Sequence, residues 1–148
     1  MEKKKILTTA IDDGTQEIQL TNMYGDAICK VRFRPTDFSI LDRYAAFTND
    51  FESIVEPLKQ IGISNNGEAD TDESWKILKG VETEIIKRFN GLFDMSDAEK
   101  IFEKRNAFSS VNGKFFCENV LLALGDVVAN AIEEETKSRQ KKMEKYLP

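Results

Sequence analysis

The stretch from Phe89 to Ile132 constrains the fold more than any other part of the chain. It holds six of the ten phenylalanines, Phe89, Phe93, Phe102, Phe108, Phe115 and Phe116, and the longest apolar helical pattern in the protein. Burying one such side chain is worth roughly 1.5–3 kcal/mol, so most of these residues must share a core. Phe116, Val120, Leu124, Val127, Val128 and Ile132 recur at helical spacing, which predicts a long helix running from Lys114. Ahead of it, Ser96-Asp97-Ala98-Glu99 reads as a capping box, so a short helix should start at Asp97 and present Ile101 and Phe102. A turn at Asn112-Gly113 closes that short helix. Beyond Ile132 the sequence EEETKSRQKKMEK keeps helical propensity but has no apolar face, and is expected to project or fray.

Residues 5–35 read instead as strands. Glu17 to Leu20 alternates, Asn22 to Asp26 (NMYGD) is rich in turn formers, and Cys29, Val31 and Phe33 alternate with Lys30, Arg32 and Arg34. This predicts a hairpin with one apolar face, to which Lys5–Ile11 adds a third strand before the Asp12-Asp13-Gly14 turn. A lone hairpin is marginal in water, so helices or another subunit must cover it.

Pro35 ends the strand, and Thr36 or Asp37 can cap a helix. Ile40, Phe47, Ile54 and Ile61 form one row at seven-residue spacing, and Tyr44, Phe51 and Leu58 a second, giving a wide apolar stripe. Pro57 conflicts with an unbroken helix, so a kink or a junction is expected between Thr48 and Pro57. Gly62 to Asp72 (GISNNGEADTD) is the clearest loop. Thr71 or Asp72 then caps another helix, with Trp75, Leu78, Val81, Ile85, Phe89 and Leu92 along one side.

The pattern as a whole is α+β: an N-terminal β-hairpin of two or three strands packed on a mainly α-helical bundle of about four helices. A chain of 148 residues fits a single domain. Residues 1–35 would form the hairpin segment, 36–132 the bundle and 133–148 the charged tail.

Charge and residue types narrow the function classes. The net charge is −5, carried by residues 37–113 with nine basic and fifteen acidic groups, so phosphate backbones and anionic membranes are expected to be repelled. No run approaches 18 apolar residues, and the start MEKKKILTTAI is too polar for a signal peptide. Neither a nucleic-acid nor a membrane partner is expected. The chain has no histidine, which removes Ser-His-Asp and Cys-His triads and the commonest metal ligand. There is no glycine-rich phosphate loop and no paired cysteine spacing for zinc. Asn65 to Glu73 crowds oxygen ligands but lacks the residue order of a calcium loop. These features predict a protein that is not an enzyme and needs no cofactor or metal. Cys29 and Cys117 are far apart, each within an apolar pattern, and read as reduced core residues of a cytoplasmic protein.

The apolar rows exceed what a compact monomer needs, which favours self-association or a hydrophobic client. Phe47, Phe51, Ile54, Trp75, Phe115 and Phe116 are the candidate protein-binding residues, with ordinary core packing as the competing reading for each.

Several motifs also carry a resemblance. Leu92-Phe93-Asp94, the AEKIFEKRN run (Ala98 to Asn106) and the pair Phe115-Phe116 opening a long helix resemble the tail assembly chaperones of long-tailed phages and prophages of Gram-positive bacteria. The front half is similar in outline, a β segment ending in Phe33-Arg34-Pro35-Thr36-Asp37 before a long amphipathic helix. Asp94 and Glu103 stand where that family often has glycine. The resemblance implies a non-enzymatic oligomeric adaptor of the host cytoplasm, absent from the mature virion. Such proteins bind the aggregation-prone tape measure protein, keep it soluble and help to recruit major tail protein. Many such proteins are also made in a second, frameshifted form, and the Lys141-Lys142 pair is compatible with the A-rich codon run that this needs. A small phage structural or connector component, or a regulatory interaction module, is the alternative.

Overall fold

The computed structural model describes residues 4–61, 71–93 and 97–146. Two strands, β1 (Gln16–Thr21) and β2 (Ala27–Phe33), pair antiparallel with Gln16 opposite Phe33 and Ile18 opposite Val31. The Asn22 side chain builds their turn, its Oδ1 accepting from the N–H groups of Tyr24 (2.9 Å) and Asp26 (3.0 Å). One face is apolar, with Val31 and Phe33 buried and Ile18 and Leu20 half-buried. On the other face Glu17 meets Lys30 at 3.5 Å and Arg32 at 3.3 Å.

The possible third strand over Lys5–Ile11 is not formed, and the hairpin has two strands. Local hydrogen bonding explains why. The carboxylates of Asp12 and Asp13 accept the N–H groups of Gly14 and Thr15, each at 3.0 Å. Asp13 also faces Arg34 at 3.8 Å. These contacts carry the chain past the end of β2 instead of back across β1.

Helix α1 (Ser39–Val55) follows a turn in which the Asp37 N–H donates to the Arg34 carbonyl at 3.0 Å, and the Asp37 carboxylate accepts the Ser39 N–H at 3.2 Å. It stops two residues before Pro57 and continues as a 3-10 turn over Glu56–Ile61, because proline has no N–H to give and its ring crowds the preceding turn. The Gly62–Asp72 loop falls outside the described residues up to 70. Helix α2 (Thr71–Leu92) then runs antiparallel to α1, as the Arg88–Asp50 ion pair (3.1 Å) and the Phe47–Phe89 ring contact (5.1 Å) show.

The expected short helix after Asp97 is one 3-10 turn, Ala98–Phe102, which leaves three α-helices among the described residues where about four were expected. Its first N–H, on Ala98, donates to Asn90 Oδ1 of α2 at 2.9 Å, while Asp97 pairs with Lys100 at 3.1 Å and caps nothing. Asn90→Ala should therefore cost about 1–2 kcal/mol in urea unfolding, because it strands a half-buried donor. A loss near zero would show that water replaces Asn90 there.

Ser110–Val111 (β3) and Lys114–Phe115 (β4) form a second hairpin rather than a simple turn. Asn112 (φ 54°) and Gly113 (φ 80°) both adopt the left-handed conformation that a two-residue hairpin loop demands. Helix α3 starts just after it and runs Phe116–Tyr146. It buries Cys117, Val120, Leu121, Leu124, Val128 and Ile132, whereas Val127 is exposed. Residues 133–146 of the charged tail are helical rather than frayed, and Arg139 places its guanidinium 5.3 Å from the centre of the Phe38 ring.

The core is a chain of aromatic contacts linking three helices and the 3-10 turn: Phe51, Phe47, Phe89, Phe102 and Phe116, with successive centroids 6.4, 5.1, 5.8 and 6.0 Å apart. Cys117 lies fully buried beside it, and burial pushes its thiol from the ordinary 9.0 up to about 12. The raised value means the folded state resists ionisation. The contribution is complete below pH 9, and is lost as the pH rises toward 12 and the unfolded chain alone releases its proton. Unfolding midpoints in urea should fall between those pH values less steeply for Cys117→Ala than for the parent protein. Equal slopes would show that the thiol is not desolvated.

Candidate functional site

Two kinds of surface stand out. The first is a cleft of about 250 Å³ where the end of β2, the start of α1 and the end of α2 meet. Arg43 organises it: its guanidinium donates to the Leu92 carbonyl at 3.5 Å, lies 3.6 Å from Asp37 and also reaches the Ser39 hydroxyl. The Ser39 hydroxyl, then the Ser39 N–H and Arg43, hold the Asp37 carboxyl below its ordinary value. At neutral pH it is therefore a charged partner for arginine, with no proton to donate. The side of the cleft is closed by Asn90, already engaged with Ala98, and by the buried Leu92 and Phe93. The cleft tethers three elements through satisfied polar contacts. Among the described residues no group of three or more His, Cys, Asp or Glu side chains converges as metal ligands would. None of their polar or charged side chains is buried.

The second kind consists of apolar side chains exposed on several separate elements. Phe38 and Leu41 at the start of α1 are exposed on a row offset from the buried Ile40, Phe47 and Phe51, and Leu122 and Val127 are exposed on α3. Trp75, 57% exposed, lies at the N-terminal end of α2 beside Asp72, Lys76 and Lys79, in an open depression of about 490 Å³. Met23 and Tyr24 project from the hairpin tip.

The sequence-derived binding residues do not fall together among these side chains. Phe47 and Phe51 are core residues, 1% and 9% exposed, which corrects the expectation that they face a partner. A charge at Phe51 would be buried without a counter-ion and would unfold the protein rather than merely block binding. Ile54 is half-buried, packed on the same core. Phe115 stacks edge-on against Phe108 at 5.6 Å, and Phe116 carries the Arg105 guanidinium 5.8 Å from its ring centre, so each keeps only part of its surface available. Of the six, Trp75 alone is exposed as a large apolar side chain. Phe38 and Leu41 were missed because the heptad rows are stronger; the signal was their three-residue spacing, one step off the Ile40 row.

No family model matches the chain, and neither does any curated protein or solved structure. No helix among the described residues is long and apolar enough to cross a membrane.

Proposed function

We propose that this chain is a non-enzymatic tail assembly chaperone of a phage or prophage. It binds a tape measure protein in the host cytoplasm and keeps it soluble while major tail protein is recruited. The observation that carries this reading is the set of large apolar side chains left at the surface, Phe38 and Leu41 on α1, Trp75 on α2 and Leu122 and Val127 on α3. They surround a protein whose phenylalanines already pack on one another inside. A tape measure protein is a long helix with apolar faces, and exposed aromatic and aliphatic anchors are what such a helix docks on. The motif resemblance at Leu92–Asp94 and Ala98–Asn106 supports the same reading. Asp72, Lys76 and Lys79 around Trp75 supply a polar rim of mixed sign, as interface anchors commonly have.

The test is co-expression with the tape measure protein encoded nearby, followed by size-exclusion chromatography with light scattering of the soluble fraction. The client should co-elute with this chain and precipitate without it. Leu41→Glu and Trp75→Glu, at exposed positions, should abolish co-elution while leaving the circular dichroism spectrum unchanged. A client that stays insoluble in the presence of the chain overturns the reading. Recovery of the chain in purified particles would instead make it a structural or connector component.

A further inference from the structure

We infer that the outer face of α2 docks an acidic amphipathic helix, which lays an apolar side chain on Trp75 and sets carboxylates beside Lys76, Lys79 and Lys87. The inference rests on the function proposed above only in expecting a helical partner, and adds to it the face used and the charge of what binds there. On its inner side α2 buries Val81, Ile85, Phe89 and Leu92. Opposite them Lys76, Gly80, Thr83, Lys87 and Gly91 follow one another at steps of three and four residues, and all are exposed. Trp75 and Lys79 form the adjoining row, and with Asp72 and Lys76 they line the open depression.

Charge defines the partner. Of the four basic residues of α2, Arg88 alone has carboxylate partners among the described residues, Asp50 at 3.1 Å and Glu84 at 3.3 Å. Lys76, Lys79 and Lys87 have none there. The acids of the helix lie elsewhere. Asp72 and Glu73 are in the first turn, where the helix dipole favours them, and Glu82 and Glu84 are half-buried at the two edges of the face. From Trp75 to Lys87, about 18 Å along the axis, the exposed side chains include three cations and no anion. A strip of that sign on a chain of net charge −5 is complementary to carboxylates.

The length of the strip and the chemistry of its backbone select a helix. A small anion would engage one or two of the lysines and leave the indole unused. An extended segment would bury backbone groups against a helix face that has no unpaired N–H or C=O to offer. A helix satisfies its own backbone, and its carboxylates recur at the same three- and four-residue steps as the lysines. The middle of the strip is low. A Cβ on Gly80 or Gly91 would meet nothing within 4 Å, so no contact within this chain calls for glycine at either position. Trp75, 57% exposed, is the large anchor beside the lysines. The same strip is a poor seat for a phosphate backbone, which the acids at its edges and the net charge repel.

Trp75 is the sole tryptophan of the chain, so its fluorescence reports docking directly. The full chain is titrated with a designed, tryptophan-free helical peptide that has leucines along one side and glutamates flanking them, with the same peptide carrying lysines in place of the glutamates, and with a single-stranded oligonucleotide. The glutamate peptide should move the emission to shorter wavelength, saturate, and bind about tenfold more tightly than the lysine peptide, roughly the ratio that three exposed ion pairs give. Raising the salt concentration should weaken it. The triple variant Lys76→Glu, Lys79→Glu, Lys87→Glu, with an unchanged circular dichroism spectrum, should prefer the lysine peptide. No emission shift with the glutamate peptide, equal affinity for both peptides, a salt-insensitive affinity, or a preference that survives the charge reversal overturns the inference. Tighter binding of the oligonucleotide than of the glutamate peptide also overturns it. Neither peptide is the client, so this result and the co-expression result can fail separately.

Discussion

Replacing Phe89 with alanine should cost about 3–5 kcal/mol of stability, the range for truncating a closed aromatic site in a core. Phe89 is fully buried and is the middle ring of the aromatic chain, edge-on to Phe47 at 5.1 Å and 5.8 Å from Phe102. It links α2 to α1 on one side and to the Ala98–Phe102 turn on the other, so the cavity opens where neither neighbour can collapse alone. For a chain of this size the melting temperature should drop by roughly 10–20 °C. The Phe47→Ala, Phe89→Ala double variant should lose less than the sum of the two, by about 0.5–1.5 kcal/mol for the ring pair. Chemical denaturation of the four proteins measures both quantities. A Phe89→Ala loss under about 1 kcal/mol would mean that the three elements do not meet at this ring.

The second large effect is a reversal of sign at Gly125. In an exposed helix interior, Gly→Ala is stabilising by up to about 1 kcal/mol. Here a Cβ on residue 125 would overlap the Tyr44 phenol, falling 2.7 Å from its Cε2 and closer still to Cζ and the hydroxyl oxygen. Tyr44 is half-buried and donates its hydroxyl to the Leu121 carbonyl at 3.1 Å, which holds α1 on α3. Gly125→Ala must push the ring out of that position and break the bond, for a net loss of about 1–3 kcal/mol. In a Tyr44→Ala background the same substitution should stabilise the protein, because the obstacle is gone and helix propensity remains. If Gly125→Ala stabilises both backgrounds equally, α1 and α3 do not approach at this point.

Much of the fold was legible because burial and periodicity act over short stretches of chain. The alternation of Cys29, Val31 and Phe33 marked β2, Asn22–Asp26 marked its turn, and the rows through Ile40 and Tyr44 and through Val81, Ile85 and Phe89 marked two helices. Pro57 announced the end of α1 within the expected region. The Asn112-Gly113 pair is the usual signature of a two-residue hairpin, and its flanking strands were missed because they are two residues each and precede a strong helix signal. The capping box is a different case, because its capping residue Ser96 lies outside the described residues. Asn90 satisfies the Ala98 N–H across a tertiary contact, and the segment never grows beyond one 3-10 turn.

The candidate surface was less legible. Heptad rows identify which side chains want burial, and Phe47 and Phe51 were assigned to a partner although α2 buries them. What the sequence by itself determined is local: which stretches are strand or helix, where proline and turn residues interrupt them, and that no histidine chemistry is available. What the tertiary structure alone decided is which apolar side chains were left over. Phe38, Leu41 and Trp75 stay outside while Phe89 joins three elements and Gly125 admits Tyr44. Whether an apolar residue is core or surface depends on how many other elements reach it, and that depends on contacts between residues far apart in the chain.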